Sequence, residues 1–471
     1  MKSISQKGIA VILVLVFAAV FGVSVSALMG FIYSQAQLGA GKEVKEQALG
    51  IAEAGLEYYR WFLAHNPNDL QDGTGAPGPY VYAYDDPESG RVGSFSLDVT
   101  GNIACGQVQS IDVTSVGTVD TDPRFTRTVF GRHASPSVAE YAYIIGEDVW
   151  AGSDRNITGP YHSNGGIRMD GTNNSTVSSA VNSWTCTSSF GCSPTQTQDG
   201  IFGAGSGSVL WQYPVPAIDF NNMGSNFSNL KGYAQADGIY LPPYGAAQIN
   251  YYGYQAAIDG YHLIFNSDGT VDIYQVTDTS GYWGYRSGIG TTPDFHIIDS
   301  ETFVERRQIP TDCPLIFVED KVWLEGVVNG KVTIVAADLV NSGYDPDIIL
   351  RDDIDYSTQD GSDGLTAISE SGIFIPPQSP DNLSLKGIFV AQGDRFGRSF
   401  YSGDQKTQLT IQGTIVSKKR VGTKWTCASQ GSFCSGYENR DNSYDRLQTT
   451  NPPPFTPAST TTPRYILWQE L

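Results

Sequence analysis

Six cysteines carry the most informative spacing in this 471-residue chain. Cys186 and Cys192 stand in WTCTSSFGC, and Cys427 and Cys434 in WTCASQGSFC, two loops with the same Trp-Thr-Cys opening. Thiols so near along the chain should close small hairpins as disulfides in an oxidising compartment. Cys105 and Cys313 remain, and a bond between them would join an early segment to a late one, although the sequence alone leaves the pairing open. Zinc is the alternative use of such residues. It would want a CxxC-like spacing or neighbouring histidines, and neither occurs.

A second cluster is acidic. Seven aspartates lie between Asp345 and Asp363, with Asp352, Asp353 and Asp355 at its centre. Hard oxygen ligands of this kind can hold Ca²⁺, but the spacing is not that of an EF-hand, and a solvated acidic loop is the plainer reading. No other cofactor is expected. The five histidines include no HExxH pair and none beside a nucleophile motif. His162, in a His-Ser-Asn-Gly turn, is the one worth watching, with a hydrogen-bonded turn as its plain role. Gly203–Gly207 lacks the Lys-Ser/Thr of a phosphate loop. The expectation is a protein without catalysis.

The elements that would position these residues begin with a helix. Lys2 and Lys7 precede Gly8, and from there to Gly41 no charged side chain appears. Ile9–Ile32 is about 24 residues long, a rise of about 36 Å, enough for a bilayer core of about 30 Å. Lysines on the short side place that end in the cytoplasm and the rest of the chain outside. A secretory signal has a shorter apolar run with a cleavage site behind it, so this stretch reads as an anchor. After Lys42, apolar residues at Val44, Ala48, Ile51, Ala52, Leu56, Tyr59 and Leu63 keep helical spacing until Asn66-Pro67. One helix of more than fifty residues is expected.

Beyond it the pattern changes to strands. Pro79–Tyr84, Gly93–Val99, Val108–Ser115 and Arg124–Phe130 are short strand candidates separated by turn residues, a small antiparallel sheet over 74–133. From 138 to 471, β-rich stretches bounded by Gly, Asn or Asp repeat an apolar-x-Gly-apolar-apolar pattern around Gly326, Gly387 and Gly413. Glycine once per bend suits a parallel β-helix, with a β-sandwich as the alternative. A Tyr-rich insertion spans about 184–310, with nine tyrosines from Tyr240 to Tyr285 beside Trp283. These rings either cover the solenoid or form a contact surface for a saccharide. The segment 440–471 is Pro- and Thr-rich and ends in an apolar strand expected to dock on the solenoid.

Composition bounds the remainder. A net charge of −20, from 29 basic against 49 acidic residues, argues against nucleic acid as a partner. Hydrophobic residues at 40% and aromatics at 12% can bury a sizeable core, so disorder is not expected.

The leader (1–8), the apolar helix (9–66) and ALGIAEAGLEYY (Ala48–Tyr59) together resemble the N-terminal region of type IV pilus minor pilins of the PilX class. The resemblance implies cleavage between Gly8 and Ile9. It also implies assembly through the helix, with Ala52, Glu53, Ala54 and Gly55 as its most specific stretch. Major pilins carry a glutamate at the fifth mature position, where this chain has Leu13, as in pilin-like subunits near a fibre tip. Expected partners are other pilin subunits, the pilus assembly machinery and the membrane, with a surface or polysaccharide ligand for the exterior. The expected location is the cytoplasmic membrane, then the cell surface. A membrane-tethered, carbohydrate-active β-helix enzyme using the aspartates is the competing expectation.

Overall fold

The computed structural model describes residues 6–88, 90–220, 226–244, 248–251, 254–257, 259–340, 346–427 and 432–471. The chain is mostly strand with one long N-terminal helix. It divides into two units. One comprises Met1–Gly101, Ile111–His133 and Tyr465–Leu471, the other Asn102–Ser110 and Ala134–Arg464.

In the first unit, helix α1 (Gln6–His65) runs 60 residues without a break. No proline interrupts the sequence before Pro67, and the residue before a proline resists helical geometry, so α1 stops at His65. Four antiparallel strands follow: β1 (Tyr80–Asp86), β2 (Gly90–Ala104), β3 (Gln107–Val119) and β4 (Thr126–Ala134). They pair in chain order as a meander. Alternation sets the buried face of β3, where Ile111, Val113, Ser115 and Val119 point inward while the residues between them are half-exposed. Phe95 and Leu97 do the same on β2. Ala48, Ile51, Ala52, Leu56, Tyr59 and Leu63 of α1 form the helix stripe buried in this unit.

The terminal strand corrects the sequence expectation. Arg464–Glu470 does not dock on the solenoid but forms the fifth strand of this sheet, beside β4. A four-stranded meander leaves β4 as an open edge with unpaired backbone groups, and this strand supplies them with partners. The Leu471 amide donates to the Thr128 carbonyl at 3.0 Å. Tyr465 donates its hydroxyl to the Leu56 carbonyl of α1 at 2.7 Å, fixing which face turns inward.

The second unit is built from parallel ladders, the strand arrangement of a parallel β-helix. In the first ladder Ile239, Ile316, Ile334, Ala367, Phe389, Ile415, Tyr143, Tyr161 and Val177 stack in register. All nine belong to one buried cluster. A second ladder stacks Tyr261, Val322, Ile348, Ile373 and Phe396. Ile354, Leu385, Ile411, Asn442 and Ile157 form a third.

The stacking order departs from chain order. Tyr143, in the first of the ladder strands along the chain, lies between Tyr161 and Ile415. Residues 143–212 therefore build away from that junction, while the coils from Ile239 to Ser417 start at the far end and return to it.

Corner glycines make the tight bends possible. Gly326, Gly387 and Gly413 have φ of +110°, +157° and +142°, the conformations their spacing suggested. Gly387 and Gly413 pair directly in adjacent coils.

The stretch 184–310 is not all insertion. Trp211–Gln212, Ile239–Leu241 and Gly260–Phe265 are ladder strands, and Phe227–Ala236 is a helix (α2) lying over the first ladder. A long antiparallel hairpin, Thr270–Arg286 with Gly290–Gln308, covers the outside of the second ladder, where the Trp323 indole donates to the His296 carbonyl at 2.8 Å.

Candidate functional site

The part of α1 from Gly8 to Ala40 is exposed along its whole circumference. Ile12, Val16, Phe17, Phe21, Leu28 and Phe31 are among its uncovered side chains. A helix apolar on every side is stable only inside an apolar medium, either lipid or a bundle of like helices. By length and composition α1 is able to cross a membrane. Two of its hydroxyls are satisfied within the helix: Ser24 donates to the Val20 carbonyl at 2.9 Å and Ser26 to the Gly22 carbonyl at 2.8 Å. That pairing suits a medium in which an unmade hydrogen bond is costly.

The candidate processing pair, Gly8 and Ile9, lies in the first turns of α1 and is exposed, as is Leu13. Further along, the Ala52–Gly55 stretch divides by helix face. Ala52 and Gly55 point into the sheet, where a side chain on Gly55 would come within 2.3 Å of the Ser115 hydroxyl. Glu53 points away and is exposed, and Ala54 is half-buried. Arg60 pairs with Glu57 rather than Glu53. Two small residues one turn apart thus let helix and sheet approach closely, and the acid stays on the open face.

The six cysteines form three disulfides: Cys105–Cys313, Cys186–Cys192 and Cys427–Cys434. The central aspartates are spent on other partners. Asp352 accepts the Asp353 amide at 2.7 Å, Asp353 accepts the Ser384 amide at 2.7 Å, and Asp355 pairs with Lys386 at 2.6 Å. Among the described residues no group of three or more His, Cys, Asp or Glu is placed to hold a metal ion. Asp345 and Tyr252 lie outside those residues.

His162 is buried, with Nδ1 2.9 Å from the Ser178 hydroxyl and Nε2 2.9 Å from Asn164 Oδ1. Burial pushes its pKa down, so it is held as a neutral ring. It lines a cavity of about 740 Å³ with Ser178, Gln212 and Tyr141. Here the outward side of the first ladder changes from Val390, Val416 and Ile144 to His162 and Ser178.

The tyrosines divide into two roles. Tyr240 donates to Glu319, and Tyr261 to the Pro242 carbonyl at 2.8 Å, so both are covering residues. Tyr282, Trp283 and Tyr285 are exposed on the long hairpin.

Sequence reasoning missed a buried polar centre beneath that hairpin. Asp294 accepts from Arg286, from the Ser399 hydroxyl at 2.6 Å and from the Tyr401 hydroxyl at 2.9 Å. Burial alone would raise this carboxyl, but the Arg286 guanidinium overrides it and holds the pKa low. Next to it, burial presses His296 down to about 3. Arg286, Asp294 and His296 share the hairpin, but Ser399 and Tyr401 come from a distant segment that no local spacing links to it.

The architecture is thus a helix-and-sheet unit bearing a long exposed apolar segment, in one chain with a parallel β-helix. No family model and no curated protein matches the chain. Among solved structures it is similar to the competence-associated pilin ComZ from Thermus thermophilus, at 14% identity and a TM-score of 0.30, over 91% of this chain and 97% of that one. At that score the likeness carries no argument, and the functional reading rests on the chain's own residues.

Proposed function

We propose that the chain is a pilin-like envelope subunit of the minor-pilin type, without catalytic activity, which assembles through α1 and displays the β-helix at the cell surface for adhesion or as a fibre tip. Before assembly the apolar part of α1 sits in the cytoplasmic membrane with the strand-rich units outside, and afterwards it packs among other pilin helices. The carrying observation is one unbroken helix whose first half is bare and apolar while its second half is fixed to a sheet through Ala52 and Gly55. Such a rod can transmit an anchoring contact to a folded body without a hinge.

Cleavage after Gly8 belongs to this reading. N-terminal sequencing of the native protein, with fractionation of sheared surface fibres, tests it. A mature chain starting at Ile9 in the fibre fraction is expected, and Gly8→Leu should hold the protein uncleaved in the membrane. A native chain starting at Met1 and absent from fibres would overturn the pilus assignment.

A further inference from the structure

A second concavity of the strand-rich unit, about 650 Å³, gathers three cations from a chain whose net charge is −20. Arg395, Lys419 and Arg420 line it, facing Phe190 of the Cys186–Cys192 loop and Ile289 at the turn of the long hairpin. Arg420 lies over the Phe190 ring at 4.7 Å and donates one Nη1 bond to the Ser189 carbonyl at 3.2 Å. Burial pushes the Arg420 guanidinium down from its ordinary value, and the nearby Arg395 charge adds to this against the opposing influence of Tyr161 and Glu147. Two like charges drawn together under partial burial are a costly arrangement unless anions offset them.

The local carboxylates do not use up the donors. Asp394 is shared, accepting from Arg395 Nε at 3.3 Å and from Lys419 at 3.1 Å. Glu147 accepts the Arg420 amide at 3.2 Å and its charge also supports the Arg420 guanidinium, while Asp148 accepts the Gly166 amide at 2.7 Å. Among the described residues the two terminal nitrogens of Arg395 have no acceptor. A guanidinium presenting a free fork matches a planar carboxylate. Thr187, Ser189 and Ser287 also line the concavity, and the volume far exceeds that of a simple inorganic anion.

We propose that this concavity binds a carboxylated saccharide, with the carboxylate between Arg395 and Arg420 and the sugar ring against the Phe190–Ile289 wall. The site deepens the display part of the function proposed above and is independent of its assembly part. Binding is measured on purified protein and fibre association on cells, so either can fail alone.

The test is calorimetric titration of the full chain in detergent at low salt. The probes are a glucuronate-containing disaccharide, its neutral glucose counterpart and inorganic phosphate. The acidic disaccharide should bind, with the neutral sugar and phosphate each weaker by about tenfold or more, the scale of one charge-assisted hydrogen bond. Arg395→Gln should weaken the acidic sugar by about tenfold, the more exposed Lys419→Gln by severalfold, and Arg351→Gln, elsewhere on the unit, not at all. No binding of the acidic disaccharide overturns the proposal. So does equal binding of the neutral sugar or of phosphate, or undiminished binding by both a folded Arg395→Gln and Lys419→Gln.

Discussion

Gly117 of β3 sits directly against the Ala48 carbonyl of α1: a side chain there would place its first carbon 2.1 Å from that oxygen and 2.5 Å from the Ala52 nitrogen. Both obstacles are backbone, so neither can swing aside. Gly117→Ala should force helix and sheet apart at a cost of about 1–3 kcal/mol. Gly50→Ala, on the open side of α1 with nothing within 4 Å, should instead be neutral or stabilising by up to about 1 kcal/mol. Thermal unfolding of the full chain in detergent gives both values, and equal effects would remove the close-packing argument.

The paired corner glycines make a sharper prediction. A side chain on Gly413 would lie 1.9 Å from the Gly387 carbonyl oxygen, in addition to the strain of φ +142°. Gly413→Ala should cost about 3 kcal/mol or more, by backbone clash plus strain. At Gly330, where φ is +82° and the surrounding space is open, alanine should cost only about 1–2 kcal/mol. Chemical denaturation of the two variants checks the ordering.

Disulfide loop length sets a third expectation. Cys105–Cys313 spans 208 residues and Cys186–Cys192 spans 6. Chain entropy alone assigns about 5 kcal/mol to the first and about 2 kcal/mol to the second. Replacing Cys105 and Cys313 together by serine should therefore lower the unfolding midpoint clearly more than the same change at Cys186 and Cys192.

Asp320 predicts a pH dependence. Burial, with a contribution from Asp259, raises its carboxyl to about 6 against hydrogen bonds from the Lys321 and Tyr244 amides. A folded-state pKa above the unfolded one means that the group's contribution is complete below about pH 4 and lost as pH rises through about 6. Asp320→Asn carries no such loss. Whatever the offset at pH 4, the stability difference should move toward the variant by on the order of 2 kcal/mol by pH 7. A pH-independent difference would show that Asp320 does not ionise in this range.

The long helix was legible because its signals are local: no proline, an apolar run, then Ala48, Ile51, Leu56 and Tyr59 in helical register. Gly326, Gly387 and Gly413 were legible for the same reason, since each needs an unusual φ within its own segment. Partner choice was not. Alternation in Tyr465–Trp468 announces a strand but carries no address, and the open edge of β4 decided where it went. Likewise, the aspartates from Asp347 to Asp363 looked like a cluster along the chain. Strand alternation and turn geometry then sent them to Ser384, Lys386 and the Gly330 amide. Arg395 and Arg420 meet Phe190 only through the stacking of coils far apart in sequence.

The out-of-order seam between Tyr143 and Ile415 has a consequence for biogenesis. A polypeptide delivered N-terminus first presents Tyr143 long before its permanent neighbour exists, so the early coils wait with one raw edge. The last coil to arrive is the keystone, and a product truncated before Ser417 should be an easy target for proteases.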